Sequence, residues 1–192
     1  MTEMTDQFDK EAAVSSNRIK RFGHEVWDWA KSLLIALAVV FVIHHFVFYL
    51  STVEGSSMEP TLEDGEWLFV NKAIYYLDKP NRGDIVILKD PRNGVDQYLV
   101  KRIIGLPGET VEIMNYTVYI NGEPLDEPYT DVHVENGDLP PVTLEEDHYF
   151  VMGDNRREHG SMDSRYFGSV PSEYIKGRAE FIIWPVHKAG GL

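Results

Sequence analysis

Three short stretches of this chain concentrate side chains able to do acyl-transfer chemistry. In the first, Val53-Glu54-Gly55-Ser56-Ser57-Met58-Glu59-Pro60-Thr61-Leu62, two serines follow a glycine and precede a proline. Proline removes a backbone donor and fixes φ, so the segment does not continue as regular helix or central strand. A serine in such a turn can present its hydroxyl while nearby N–H groups stay free for a developing oxyanion. By itself, Gly-Ser-Ser is usually plain loop. In the second stretch, Gln97–Ile104, alternation puts Leu99, Lys101 and Ile103 on one strand face and Val100, Arg102 and Ile104 on the other. An edge strand with two solvated cations would read the same way.

The sharper reading of the second stretch buries Lys101 beside Ser57. A lysine with the ordinary pKa of about 10.4 is neutral only about once in a thousand near pH 7.4. To act as a general base it needs a pKa lower by about three, a penalty on its charge of about 4 kcal/mol. Burial against an apolar face supplies such a penalty, provided the amine is screened from the chain's many carboxylates. The third stretch joins Met152-Gly153-Asp154-Asn155-Arg156 to Ser161-Met162-Asp163-Ser164-Arg165. Polar density of this kind closes loops through Asx turns. It can also orient a neutral amine, with an Asp–Arg pair holding the loop.

Composition narrows the chemistry. The net charge of −13 leaves no basic face for a nucleic acid. Cysteine is absent, which removes thiol nucleophiles, disulfides and thiolate metal sites together. The histidines are scattered with no His-x-x-x-His pair, so neither a metal site nor a metal cofactor is expected. A chain of 192 residues is long enough for one main domain and an appendage.

The elements that must position these groups begin with an anchor. Met1 to Asn17 is polar and acidic, and is expected to be mobile. Leu33–Leu50 then carries no formal charge, and as a helix spans roughly 27 Å, close to the thickness of a bilayer's hydrocarbon core. A core helix would show a polar face, and a cleaved signal would need a small-x-small site after the run; its Ala36-Leu37-Ala38 falls in the interior. Lys10, Arg18, Lys20, Arg21 and Lys31 precede the span and no cation occurs from Ser51 to Asn71, so the N-terminus is expected in the cytoplasm. Trp27, Trp29, Phe46, Phe48 and Tyr49 stand where interfacial aromatics belong. The expected organisation is a cytoplasmic segment 1–31, a transmembrane helix 32–50 and an exported domain 51–192.

That domain reads as mainly β. Glu66–Lys72, Gly83–Lys89, Gln97–Ile104, Thr110–Met114, Thr117–Ile120, Tyr149–Met152 and Ala179–Ile183 are short and rich in Val, Ile, Tyr and Phe. Asn115-Tyr116 and Asn121-Gly122 predict hairpin turns, and Leu106-Pro107-Gly108-Glu109 another turn. Glu123 to Asp147, with four prolines and many acids, predicts a long surface excursion.

Taken together, Gly55–Leu62, Gly83-Asp84-Ile85-Val86, Lys101-Arg102-Ile103-Ile104-Gly105-Leu106-Pro107-Gly108-Glu109, Gly153–Arg156 and Ser161–Arg165 resemble the motifs of the bacterial type I signal peptidases. Order, spacing and the preceding anchor are similar to the short, single-anchor Gram-positive form. The resemblance implies a coiled-sheet β domain shared with self-cleaving SOS repressors. It implies Ser57 as nucleophile and Lys101 as general base, with Ser161 positioning the lysine and Asp163, Arg165 and Asp154 shaping the site. Val53, Met58, Leu62, Leu99 and Val100 would line shallow pockets for alanine-sized side chains. The partners implied are the lipid bilayer and the signal peptides of secreted preproteins, cleaved after small-x-small sites. The Ser57 N–H would serve the oxyanion; where Gram-negative relatives carry a second donor, a serine hydroxyl two residues before the nucleophile, this chain has Gly55. The Arg157–Gly160 loop is longer than the usual spacer, which bears on Ser161. Two other classes stay open: a self-cleaving regulatory Ser–Lys protease, and a catalytically silent relative that binds signal peptides.

Overall fold

A computed structural model describes residues 25–92, 97–135 and 137–192. Two compact units emerge, dividing between His45 and Phe46. Met1–Asn17 and the cations Lys10, Arg18, Lys20 and Arg21 lie outside the described residues. Helix α1 (residues 25–42) lies within an apolar helical stretch Glu25–Val47 long enough to cross a membrane. The length of that stretch corresponds to about 35 Å, and its side chains are exposed on every face. An all-round apolar surface of this kind suits lipid and not water. The last turn, Ile43–Val47, is π-helical.

The helix stops three residues short of the predicted end at Leu50. Phe48–Thr52 forms strand β1, antiparallel to β2 (Trp67–Asn71), with Phe48 opposite Asn71 and Thr52 opposite Trp67. Aromatic residues suit a pleated surface, and here they find partners: the Phe48 ring lies 4.9 Å from Phe69, and Tyr49 packs against the core. An apolar run carries no mark of where lipid-facing helix gives way to buried strand.

The second unit is built on two antiparallel sheets. The larger adds β3 (Ile85–Lys89), β4 (Tyr98–Gly105), β9 (His148–Met152), β10 (Val170–Pro171), β11 (Ile175–Trp184) and β12 (Gly190–Gly191), and runs β1-β2-β11-β3-β4-β9-β10, with β12 on β11. The smaller runs β7-β6-β5-β8, from β5 (Thr110–Met114), β6 (Thr117–Ile120), β7 (Glu123–Pro124) and β8 (Leu139–Thr143). Two single-turn helices, α2 (Ile74–Leu77) and α3 (Ser164–Phe167), decorate them. At both predicted hairpin turns the two central residues are left-handed, Asn115 (φ 50°) with Tyr116 (φ 66°) and Asn121 (φ 53°) with Gly122 (φ 84°), as type I′ geometry requires.

The predicted excursion Glu123–Asp147 is only partly one. It supplies β7 and β8 to the small sheet and buries Val134 and Leu144. Pro140 and Pro141 sit in β8, an edge strand, where a missing ladder donor costs least.

For the site, the decisive placement is that of β4, which lies inside the large sheet. On one side Val86 stands opposite Lys101 and Ile85 opposite Arg102; on the other, Arg102 faces Met152 and Ile103 faces Val151. Neither cation of β4 is therefore an edge residue: Lys101 is 2% and Arg102 8% exposed.

Candidate active site

Ser57 sits in a turn between β1 and β2. Glu59 N–H donates to Ser56 O (3.2 Å) and Leu62 N–H to Met58 O (2.9 Å), while Gly55 enters with φ 85°. That left-handed conformation is one that a side chain would resist. Gly55 N–H donates to the Asp64 carboxylate at 2.7 Å. Among the described residues, the Ser57 N–H donates to no protein group, so it is free for an incoming oxygen.

Strand β4 brings Lys101 against this turn from 44 positions away, with Nζ 2.7 Å from Ser57 Oγ and 2.8 Å from Val100 O. In its charged form the amine donates to both oxygens. Burial pushes its pKa down from the ordinary 10.5 to about 8. The Asp163, Asp154 and Asp90 carboxylates pull it upward and the Arg165 guanidinium downward, but desolvation outweighs them. The result is an amine that is neutral in a useful fraction near neutral pH and already within reach of a hydroxyl proton.

The third stretch wraps the far side of the turn. Asn155 N–H donates to Ser57 O (3.1 Å), and the Asn155 side-chain amide to Ser56 O (3.1 Å). Gly153 lies so close that a Cβ there would fall 2.2 Å from Ser57 O and 2.3 Å from Ser161 Oγ. Asp163, fully buried, accepts from Gly153 N–H (3.0 Å) and from Arg165 Nε and Nη2 (2.8 and 2.7 Å). Ser161 Oγ is buried and makes no hydrogen bond among the described residues, where Lys101 is held by Ser57 and Val100.

Asp154 does not reach the lysine. Its carboxylate takes Arg102 Nε (2.8 Å), Arg102 Nη2 (2.6 Å) and the Thr61 hydroxyl (2.6 Å). Arg102 Nη1 also donates to Gly83 O at 2.8 Å. This bidentate buried pair ties the serine turn to β4. The roles of Thr61 and Arg102 were not legible as such; for Arg102 the only signal was a cation alternating with apolar neighbours.

A cleft of about 480 Å³ opens beside the dyad, lined by Val53, Met58, Leu99 and Val100 together with Ser57 and Lys101. Leu62 does not line it: the side chain is wholly buried, packed with Val53 and Met58 in the core beneath. Among the described residues, no cluster of three His, Asp or Glu is arranged to hold a metal ion.

A turn-borne serine, a buried lysine at hydrogen-bond distance and a free backbone donor beside an open cleft are groups chemically able to carry out acyl transfer. The chain matches the family model described as "Signal peptidase, peptidase S26" over residues 26–184, and it belongs to that family. Signal peptidase I of Bacillus amyloliquefaciens is 43% identical over 189 residues, covering 93% of this chain and 96% of that protein. Signal peptidase I S of Bacillus subtilis (strain 168) is 41% identical, covering 85% and 91% respectively. A crystal structure of a signal peptidase I from Enterococcus faecalis V583 aligns at 39% identity with a TM-score of 0.45, covering 53% of this chain and 97% of that one.

Proposed function

We propose that this S26 peptidase removes N-terminal signal peptides from exported preproteins, with Ser57 as nucleophile and Lys101 as general base. The observation that carries the proposal is the 2.7 Å contact between Lys101 Nζ and Ser57 Oγ, made by an amine whose burial brings its pKa to about 8. Neutral Lys101 takes the hydroxyl proton as Ser57 Oγ attacks the carbonyl that ends the signal peptide. The tetrahedral oxyanion lies against the Ser57 N–H. As it collapses, the lysine returns the proton to the leaving amine, which becomes the new N-terminus of the mature protein. The signal peptide stays esterified to Ser57 until water, deprotonated by the same lysine, displaces it.

The substrate binds as an extended strand. Val53, Met58, Leu99 and Val100 admit alanine-sized side chains and exclude bulk, which selects small-x-small sites. Gly153, Asp163 and Arg165 hold the serine turn and the lysine in register, and Asp154 does so through Arg102 and Thr61. Residues 25–47 anchor the enzyme in the membrane, with the N-terminus cytoplasmic and the domain from Phe48 onward outside. Full-length protein in detergent, given a preprotein with an Ala-x-Ala site, should generate the mature N-terminus on sequencing. Ser57→Ala and Lys101→Arg should both be inactive, because arginine keeps its proton at any workable pH. Appreciable cleavage by Lys101→Arg would overturn the general-base role.

A further inference from the structure

We propose that residues 127–129, between β7 and β8, form a brace for the catalytic pair, with Glu127 and Tyr129 as positioning residues acting through Arg156 and Arg102. This rests on the Ser57–Lys101 reading above. Arg156 is 1% exposed, and each of its three guanidinium nitrogens donates to a protein oxygen. Nη1 and Nη2 donate to the two Glu127 oxygens at 2.9 and 2.7 Å, and Nε donates to Gly153 O at 2.8 Å. The Tyr129 ring lies 4.0 Å from the Arg102 Cζ and 5.9 Å from the Arg156 Cζ, and its hydroxyl donates to Glu127 Oε1 at 3.0 Å. One carboxylate and one ring from a single segment thus hold two guanidinium groups.

The attachment points make the brace catalytic in consequence. Arg102 directly follows Lys101 in β4, and Arg156 directly follows Asn155, whose backbone and side chain pin the carbonyls of Ser57 and Ser56. Glu127 and Tyr129 touch no reacting atom. They decide where β4 and the loop after β9 stop relative to each other, and so fix the approach of Lys101 to Ser57. A buried arginine without its carboxylate is strongly unfavourable. Losing Glu127 would therefore let the Gly153–Arg156 loop rearrange and admit water to the dyad.

Glu127→Gln keeps the volume and one acceptor but removes the charge. Tyr129→Leu removes the stacking ring, whereas Tyr129→Phe keeps it. In full-length enzyme, Glu127→Gln and Tyr129→Leu should lower kcat by about tenfold or more with KM within about threefold. Tyr129→Phe should retain most of the turnover. Water entry also weakens the desolvation of Lys101. The charged groups acting on that amine are Asp163, Asp154, Asp90 and Arg165, and none is removed. The acidic limb of kcat/KM should therefore move upward from near 8 in both damaging variants. A merely structural loss would reduce the active fraction and leave the limb in place.

Arg157→Ala, which breaks an exposed ion pair to Asp131 on the same segment, should leave both kcat and the limb unchanged. The titration can also be read without substrate, from the pH dependence of Lys101 labelling by a small amine-reactive reagent mapped by mass spectrometry. Wild type that cleaves no preprotein would sink the functional reading while leaving the brace measurable by labelling. Wild-type turnover and an unmoved Lys101 titration in Glu127→Gln and Tyr129→Leu would overturn the brace.

Discussion

Replacing Lys101 with methionine should abolish cleavage and at the same time stabilise the fold at neutral pH. The lysine is 2% exposed, and its pKa falls from 10.5 in the ordinary state to about 8 in the folded protein. That gap of about 2.5 corresponds to a cost of about 3 kcal/mol for holding the ammonium in the fold. Methionine has similar reach without a charge. It forfeits the hydrogen bonds to Ser57 Oγ and Val100 O, worth about 1 kcal/mol each net. Lys101→Met should therefore be more stable than wild type by about 1–2 kcal/mol at pH 7.

The sign must then reverse. Below pH 8 the amine is protonated in both states, and the folded one carries the full penalty. Between 8 and 10.5 only the unfolded chain holds the proton, so wild type gains stability as pH rises. By pH 10 the advantage of the methionine variant should have shrunk by about 2–3 kcal/mol and changed sign. Chemical denaturation of both proteins in detergent at pH 7 and pH 10 measures this difference, in which shared titrations cancel. A difference that stays flat between the two pH values, or a variant less stable than wild type at pH 7, would refute the buried, depressed lysine.

Gly153→Ala places a methyl 2.2 Å from Ser57 O and 2.3 Å from Ser161 Oγ; relief moves the serine carbonyl by about 1 Å, and kcat/KM should fall about a hundredfold in preprotein cleavage assays. Ser161→Ala should lower kcat with a smaller change in KM; near-wild-type turnover would show that the unbonded Oγ does not orient the lysine during the reaction. Protease added outside intact protoplasts should digest the domain from Phe48 onward and spare the N-terminal segment, and protection of that domain would invert the proposed orientation.

Much of this architecture is written locally. Alternation in Gln97–Ile104 marks β4, Asn115-Tyr116 and Asn121-Gly122 mark turns whose left-handed residues the hairpins need, and an uncharged apolar run marks the helix. Period and turn chemistry are properties of a few neighbouring residues, and so survive in the sequence. The polar motifs were visible for a different reason: an apolar strand face has no use for a lysine unless something offsets its burial.

Other features depended on which distant segments meet. Pairing of β4 with both β3 and β9 turned two cations with an ambiguous pattern into buried ones. The same pairing gave Arg102 to Asp154 and Thr61, partners 52 and 41 positions away. Leu62 went into the core and not the cleft, because the turn after Ser57 folds back with Leu62 N–H bonded to Met58 O. Phe48–Leu50 left the helix because β2 offered an open ladder. Glu127 and Tyr129, in a stretch whose prolines and acids read as surface, became half-buried where they meet Arg156 and Arg102, with Tyr129 also packing on the core beside the small sheet. Residue types and local spacing determine what each segment can become; the register of long-range pairing, with the cost of leaving a buried charge unpaired, decides which of those possibilities the fold adopts.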